Sequence, residues 1–235
     1  MNSNIPNKLA EGPRKIVVTG HFGCGKTEFS VSLAVAFAKM GIKPLALADL
    51  DIENPYFRSR ERGDELEEMG ITVYSDPFNG RNGTELQTIS ASIKAPLEDE
   101  SCRAILDCGG DAPGAMVLNQ FGKYLKKDTN IISVVNCMRP GTDTPEKAAD
   151  MIRQTENATG LKVNLLISNA HLIRYTTEDV IKEGYEFSQK VSQMCGIPLL
   201  GACCMESLAG KLEGCGFDIF PIGMYMRDTY LDKTV

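Results

Sequence analysis

Apolar positions along this chain fall into short continuous runs separated by longer stretches with helical spacing. Ile16, Val17 and Val18 run together within residues 15–19, which predicts a strand buried on both faces. Phe29, Leu33, Ala36, Phe37 and Met40 then recur at three- and four-residue intervals, which predicts a helix over 27–40, stopped by Gly41. The alternation continues. Strands are expected at 44–48, 71–74, 103–106, 131–135, 163–168 and 199–202. Helices are expected at 56–69, 114–127, 144–159 (Pro145 in its first turn) and 177–195. A weaker helical pattern at 85–99 is expected to break at Pro96. Pro77, Gly80 and Gly83 mark 76–84 as a loop, and no clear pattern follows Phe220. Strands alternating with helices call for an α/β fold, a three-layer arrangement in which helices flank a mostly parallel sheet. The polar stretch 1–14 reads as a flexible N-terminal lead-in, and 15–235 as a single domain.

Composition narrows the class without naming a chemistry. With 43% hydrophobic and 24% charged residues, the chain has the make-up of a globular domain. No apolar run reaches the roughly 18 residues that would span a bilayer. No apolar signal core precedes the first strand, so a cytoplasmic location is expected. The formal net charge of −6 argues against a nucleic-acid partner, which calls for a basic face. The short tail of mixed charge likewise argues against a membrane. Eight cysteines are expected as reduced thiols, since none forms a C-x-x-C pair.

The chemistry enters at the end of the first strand. Gly20-His21-Phe22-Gly23-Cys24-Gly25-Lys26-Thr27 fits G-x-x-x-x-G-K-[ST], a phosphate-binding loop between a strand and a helix. Such a loop turns consecutive backbone N–H groups toward one anion, and the helix N-terminus adds its dipole. Lys26 is expected to reach the β- and γ-phosphates, and the Thr27 hydroxyl to ligate Mg²⁺. These eight residues and the adjoining Glu28 are expected to line the nucleotide. A second carboxylate is needed for the metal. The strand Arg103-Ala104-Ile105-Leu106 ends in Asp107, and Asp107-Cys108-Gly109-Gly110 reads D-x-x-G, in which Gly110 can offer its N–H to a γ-phosphate. Cys108 stands where many motor-type ATPases carry a catalytic Glu.

After the second strand comes Ala48-Asp49-Leu50-Asp51-Ile52-Glu53-Asn54-Pro55. Together with the phosphate loop and the D-x-x-G element, it resembles the MinD/ParA-like, SIMIBI-class P-loop ATPases of the CobQ/CobB/MinD/ParA nucleotide-binding family. The resemblance implies a P-loop NTPase fold over about residues 15–205. It also implies that Asp51 lies beside the γ-phosphate, positioning the attacking water or joining the Mg²⁺ shell, with Asp49 as the first Asp of the element. Lys26 and Asp51 are then the catalytic pair, and Thr27, Asp51 and Asp107 the Mg²⁺ set. Where that class carries a Lys that crosses a dimer interface, this chain has His21, followed by Phe22 in place of Gly. His21 would shape the loop, or donate to a phosphate when protonated.

Guanine readers in this superclass use N-K-x-D; here the corresponding stretch is Asn169-Ala170-His171-Leu172. Asn169 is retained and the Asp is missing, which favours ATP, since an amide can both donate to and accept from adenine. The function expected is a Mg²⁺-dependent ATP-binding protein, a slow ATPase acting as a switch or assembly factor for a protein partner, with a nucleotide-dependent homodimer implied by the resemblance. Two alternatives stay open. One is a synthetase-like enzyme that activates a carboxylate with ATP. The other is a metal- or cluster-inserting ATPase, for which Cys137, Cys203 and Cys204 are candidates. Tyr56, Phe57 and the run Arg58 to Arg62 are a candidate docking surface.

Overall fold

The computed structural model describes residues 4–51, 63–74 and 85–226, with backbone alone over 85–91. The sheet has eight strands: β1 (Lys15–Thr19), β2 (Leu45–Asp49), β3 (Thr72–Tyr74), β4 (Arg103–Asp107), β5 (Thr129–Val135), β6 (Leu165–Ser168), β7 (Leu199–Met205) and β8 (Ile219–Ile222). Their order is β3-β2-β4-β1-β5-β6-β7-β8, and every pairing is parallel. The phosphate-loop strand β1 therefore lies directly between β4, which ends in Asp107, and β5. This is the expected three-layer P-loop NTPase fold. Its eight strand ends open onto one edge, where such folds bind ligands.

The central strands are apolar because both faces are covered. Along β1, Ile16 and Val18 enter the core shared with α2 (Lys26–Lys39), whereas Val17 enters the opposite core. The first core also takes α1 (Asn4–Glu11) and Leu66 of the six-residue α3 (Gly63–Glu68). The second gathers α4 (Glu85–Glu98), α5 (Ala112–Ala115), α6 (Gly122–Leu125), α7 (Pro145–Thr159) and α8 (Glu178–Cys195). Thr144 and Thr177 cap α7 and α8 by accepting from Lys147 and Val180 N–H, and Gly160 and Gly196 end them in left-handed conformation.

Four expectations need correction. The stretch expected as a lead-in folds as α1, with Ile5 and Leu9 fully buried. Arg103 secures its end, donating from Nη1 to the Leu9 and Pro13 carbonyls (3.0 Å each) and from Nη2 to Ala10 (2.7 Å), so helix-end carbonyls that would otherwise lack donors are satisfied. The helix at 85–99 does not break at Pro96. Proline falls in the last turn, where little ladder remains to lose, and Arg14 donates to the carbonyls of Pro96 and Leu97 (3.2 and 2.6 Å). The helix expected over 114–127 is divided into α5, a 3₁₀ segment (Met116–Phe121) and α6. Leu118 and Phe121 are both buried, and their three-residue spacing suits the tighter turn. The tail after 217 adds β8, and β7 runs three residues past its expected end. Of the helix expected at 56–69, residues 63–68 are helical; 56–62 and the loop at 76–84 lie outside the described residues, as do Ile52 to Pro55.

Candidate functional site

The phosphate loop joins β1 to α2 with little slack. Cys24 N–H donates to the His21 carbonyl (3.2 Å), closing the turn, and Phe29 N–H to the Gly25 carbonyl (3.0 Å) begins the helical ladder. Gly20 packs on β5, where a Cβ would press into the backbone of Val134. Gly25 has φ +86°, the left-handed region that glycine alone enters readily, and a side chain there would strike the Asn169 amide. Lys26 is buried and arches back over the loop, its Nζ 3.4 Å from the His21 carbonyl. Phe22 stands out from the loop tip, 66% exposed.

Behind the loop, β4 delivers the D-x-x-G element. Gly110 lies so close that a Cβ on it would come within 2.8 Å of Lys26 Nζ, and closer still to the Gly20 carbonyl. Only glycine fits there. Asp107 is fully buried at the strand end. Ser30 donates to its Oδ1 (3.2 Å), while Oδ2 is enclosed without a hydrogen-bond partner. Burial pushes the Asp107 carboxyl up to about 6, despite the relief given by the Thr27 hydroxyl and Lys26, with Asp51 adding repulsion. Burial pulls the Lys26 ammonium down, but the acidic groups around it, Cys24, Asp107 and Asp51 foremost, outweigh this and raise it. Asp51 sits just past β2, its N–H donating to Asp49 Oδ1 (3.2 Å). Beside it, Leu50 N–H donates to the Asp107 carbonyl (2.8 Å). The structure thus brings Lys26, Thr27, Asp51, Asp107 and Gly110 together.

Lys26, Thr27 and Asp51 of that group line a cavity of about 330 Å³, within the range of small-molecule sites. Its far walls are Asn169 to Ile173 after β6, Cys203 to Met205 of β7, and Ile222 to Met226. Ile173 holds φ +56°, rare for a β-branched residue. It is pinned by Leu172 N–H to Thr176 Oγ1 (2.9 Å) and Thr176 Oγ1 to the Ile173 carbonyl (2.6 Å). Asn169 lines the cavity and also reaches the phosphate loop. It is buried with its Nδ2 donating to the Cys24 carbonyl (2.8 Å), so its amide braces the phosphate loop. His21 turns its Nε2 to the Pro140 carbonyl (3.0 Å).

Two contributors escaped the sequence reading, and a third makes a contact it did not foresee. Ser30, one turn beyond Lys26, holds Asp107. Arg139, in the turn after β5, donates from Nε to the Gly23 carbonyl (2.8 Å). Glu28, expected at the nucleotide, accepts Tyr225 N–H on Oε2 (2.9 Å) and Met226 N–H on Oε1 (3.0 Å), fastening the chain after β8 over the cavity. Arg139 could have been found by inspecting the ends of the strands flanking β1. The Glu28 contact joins residues nearly the whole chain apart and carries no local signal.

The cysteines do not assemble a metal centre. Cys203 and Cys204 are successive residues of β7 facing different cores, and among the described residues no group of three or more His, Cys, Asp or Glu is placed to hold an ion. Burial raises the Cys204 thiol to about 12 and that of Cys203 well above its usual value. No helix among the described residues is long and apolar enough to cross a membrane.

No protein-family model and no curated protein sequence matches the chain. Solved structures do. It is similar to the signal recognition particle 54 kDa protein from Aeropyrum pernix K1 in complex with GDP (TM-score 0.55, 18% identity, covering 82% of this chain and 41% of that one). It is similar also to the cell division protein FtsY from Thermotoga maritima (0.53, 20%, 83% and 63%). A third likeness is to the signal recognition particle receptor FtsY from Elizabethkingia anophelis (0.51, 19%, 87% and 64%). The chain spans between two fifths and two thirds of these proteins. At such identities the likeness is one of fold, the P-loop NTPase fold.

Proposed function

We propose that the protein binds a nucleoside triphosphate with Mg²⁺, preferentially ATP, and hydrolyses it slowly as a nucleotide-dependent switch or assembly factor. The observation that carries this is the convergence of buried Lys26, Gly110, Asp51 and Asp107 on the phosphate loop, with Lys26, Thr27 and Asp51 lining the cavity. The loop N–H groups and the α2 N-terminus bind the phosphates, and Lys26 neutralises their charge. The donor set suits a hard cation, being all oxygen: the Thr27 hydroxyl, the enclosed Asp107 Oδ2, and Asp51. Bound there, Mg²⁺ supplies charge neutralisation at the β- and γ-oxygens. Asp51 orients the attacking water, and Gly110 senses the terminal phosphate.

ATP is favoured over GTP by the cavity's chemistry. Guanine needs a carboxylate to accept its two N–H donors. Of the acids lining the cavity among the described residues, Asp51 stands beside Lys26, and both Glu28 oxygens accept backbone N–H groups. Leu172 stands where N-K-x-D would place the Asp. The D-L-D element keeps the MinD/ParA-like reading as the family proposal. A nucleotide-dependent homodimer or a protein partner, the cytoplasmic setting, and one nucleotide-binding domain that includes α1 belong to the same proposal.

Calorimetry with ATP and GTP, with and without Mg²⁺, tests it. ATP should bind in a Mg²⁺-dependent way, Lys26→Ala should abolish binding, and Asp51→Ala should bind ATP but release no phosphate. Preference for GTP would reverse the base assignment, and absence of nucleotide binding would end the proposal.

A further inference from the structure

The turn after β5 is fastened to the phosphate loop at two points, His21 Nε2 to the Pro140 carbonyl and Arg139 Nε to the Gly23 carbonyl. The turn is stiffened from within: Met138 N–H donates to Asn136 Oδ1 (2.9 Å), Thr142 Oγ1 to the Asn136 carbonyl (2.9 Å), and Thr142 N–H to the Arg139 carbonyl (3.1 Å). Arg139 lines the cavity, and among the described residues it and Lys26 are the Lys or Arg residues that do so. Its Nε is used on Gly23, but its Nη groups have no hydrogen bond or ion pair among the described residues. The cavity's own acids do not serve it. Glu28 holds the Tyr225 and Met226 N–H groups, and Asp51 faces the Lys26 charge.

We infer that Arg139 is a further ligand-binding residue, which holds the phosphate loop through Nε and donates from Nη1 and Nη2 to the polyphosphate. This rests on the nucleotide reading. A guanidinium can do both at once, because its donors are fixed in one plane and point in different directions. The anchor on Gly23 orders the side chain before the ligand arrives, so little entropy is lost on binding. Phosphate oxygens supply an anion for this cation, and the paired geometry is the strong form of such a contact.

The test compares adenosine, AMP, ADP and ATP, with Mg²⁺, on the full chain, using calorimetry for the nucleotides and ligand-observed NMR for adenosine. Arg139→Ala should weaken ADP and ATP by at least about tenfold and adenosine by less than about twofold. Arg139→Lys, which keeps the charge but cannot hold Gly23 and phosphate together, should recover part of the loss. The loss should shrink as salt rises. Equal loss for adenosine and ATP would overturn the inference, showing that the guanidinium stacks on the base. So would unchanged ADP and ATP affinity in an Arg139→Ala protein whose parent binds both. A parent that binds no nucleotide would overturn the nucleotide reading, and this inference with it.

Discussion

Burial decides the behaviour of Asp107. A carboxyl titrating at about 6 in the folded protein, against roughly 4 in an unfolded chain, favours folding most where it is protonated in both states, below about pH 4. That contribution is lost as pH rises through the folded value. Over the full interval the loss is roughly 3 kcal/mol at most. Asp107→Asn keeps an acceptor for Ser30 and removes the charge. Without metal or nucleotide, the stability of this variant relative to the parent should therefore improve between pH 4 and 7, as measured by denaturant melts. With Mg²⁺ and ATP the order should reverse, because the variant lacks the anion the cation needs. A stability difference that does not move with pH would show that Asp107 is not held as the geometry implies. Nearby residues show how far sequence reaches at this scale. Lys26, Thr27 and Gly110 were legible because a motif fixes both identity and place. The bond from Asn169 was not legible, since only the fold brings its Nδ2 to the Cys24 carbonyl.

At the scale of elements, the strands near the site were legible because continuous apolar runs have no other stable use than a strand covered on both faces. β1 matches its expected bounds. Short amphipathic helices were not. In α1 the apolar signal is a single pair, Ile5 and Leu9, one helical turn apart amid polar residues, and its other support, the Arg103 guanidinium, comes from far along the chain. If α1 is part of the core, Leu9→Ala should cost about 2–4 kcal/mol in a denaturant melt; a lead-in would lose nothing measurable. The chain after β8 depends on one latch. Glu28 accepts two N–H groups with its two carboxylate oxygens, and a neutral Gln can match only one of them. Glu28→Gln should speed hydrogen exchange at Tyr225 and Met226. Unchanged exchange at both amides would rule out the latch.

For the whole molecule, a wholly parallel sheet gathers every strand end at one edge, so whatever meets the nucleotide there also meets the loops around it. That edge carries exposed apolar side chains from three of those loops: Phe22 (66%) on the phosphate loop, Met116 (54%) beyond the D-x-x-G element, and Tyr175 (67%) after β6. Apolar groups exposed on these connections suit a surface that is covered for part of a cycle. On the proposed function, Gly110 and Asp51 would supply the means of timing it, since both would meet the terminal phosphate and move when it leaves. His21 is turned to Pro140, so a dimer here would rest on these apolar contacts and on other phosphate ligands. Light scattering with Asp51→Ala, which should hold ATP uncleaved, measures this directly. With Mg²⁺ and ATP the mass should double over that of the ADP-bound and nucleotide-free forms, and Phe22→Ser should restore the single mass without loss of ATP binding. If the mass stays constant while ATP binds, self-association is excluded, and the edge must be covered by a different protein or serve a small carboxylate substrate. Phosphate release stimulated by added carboxylates would then separate those two.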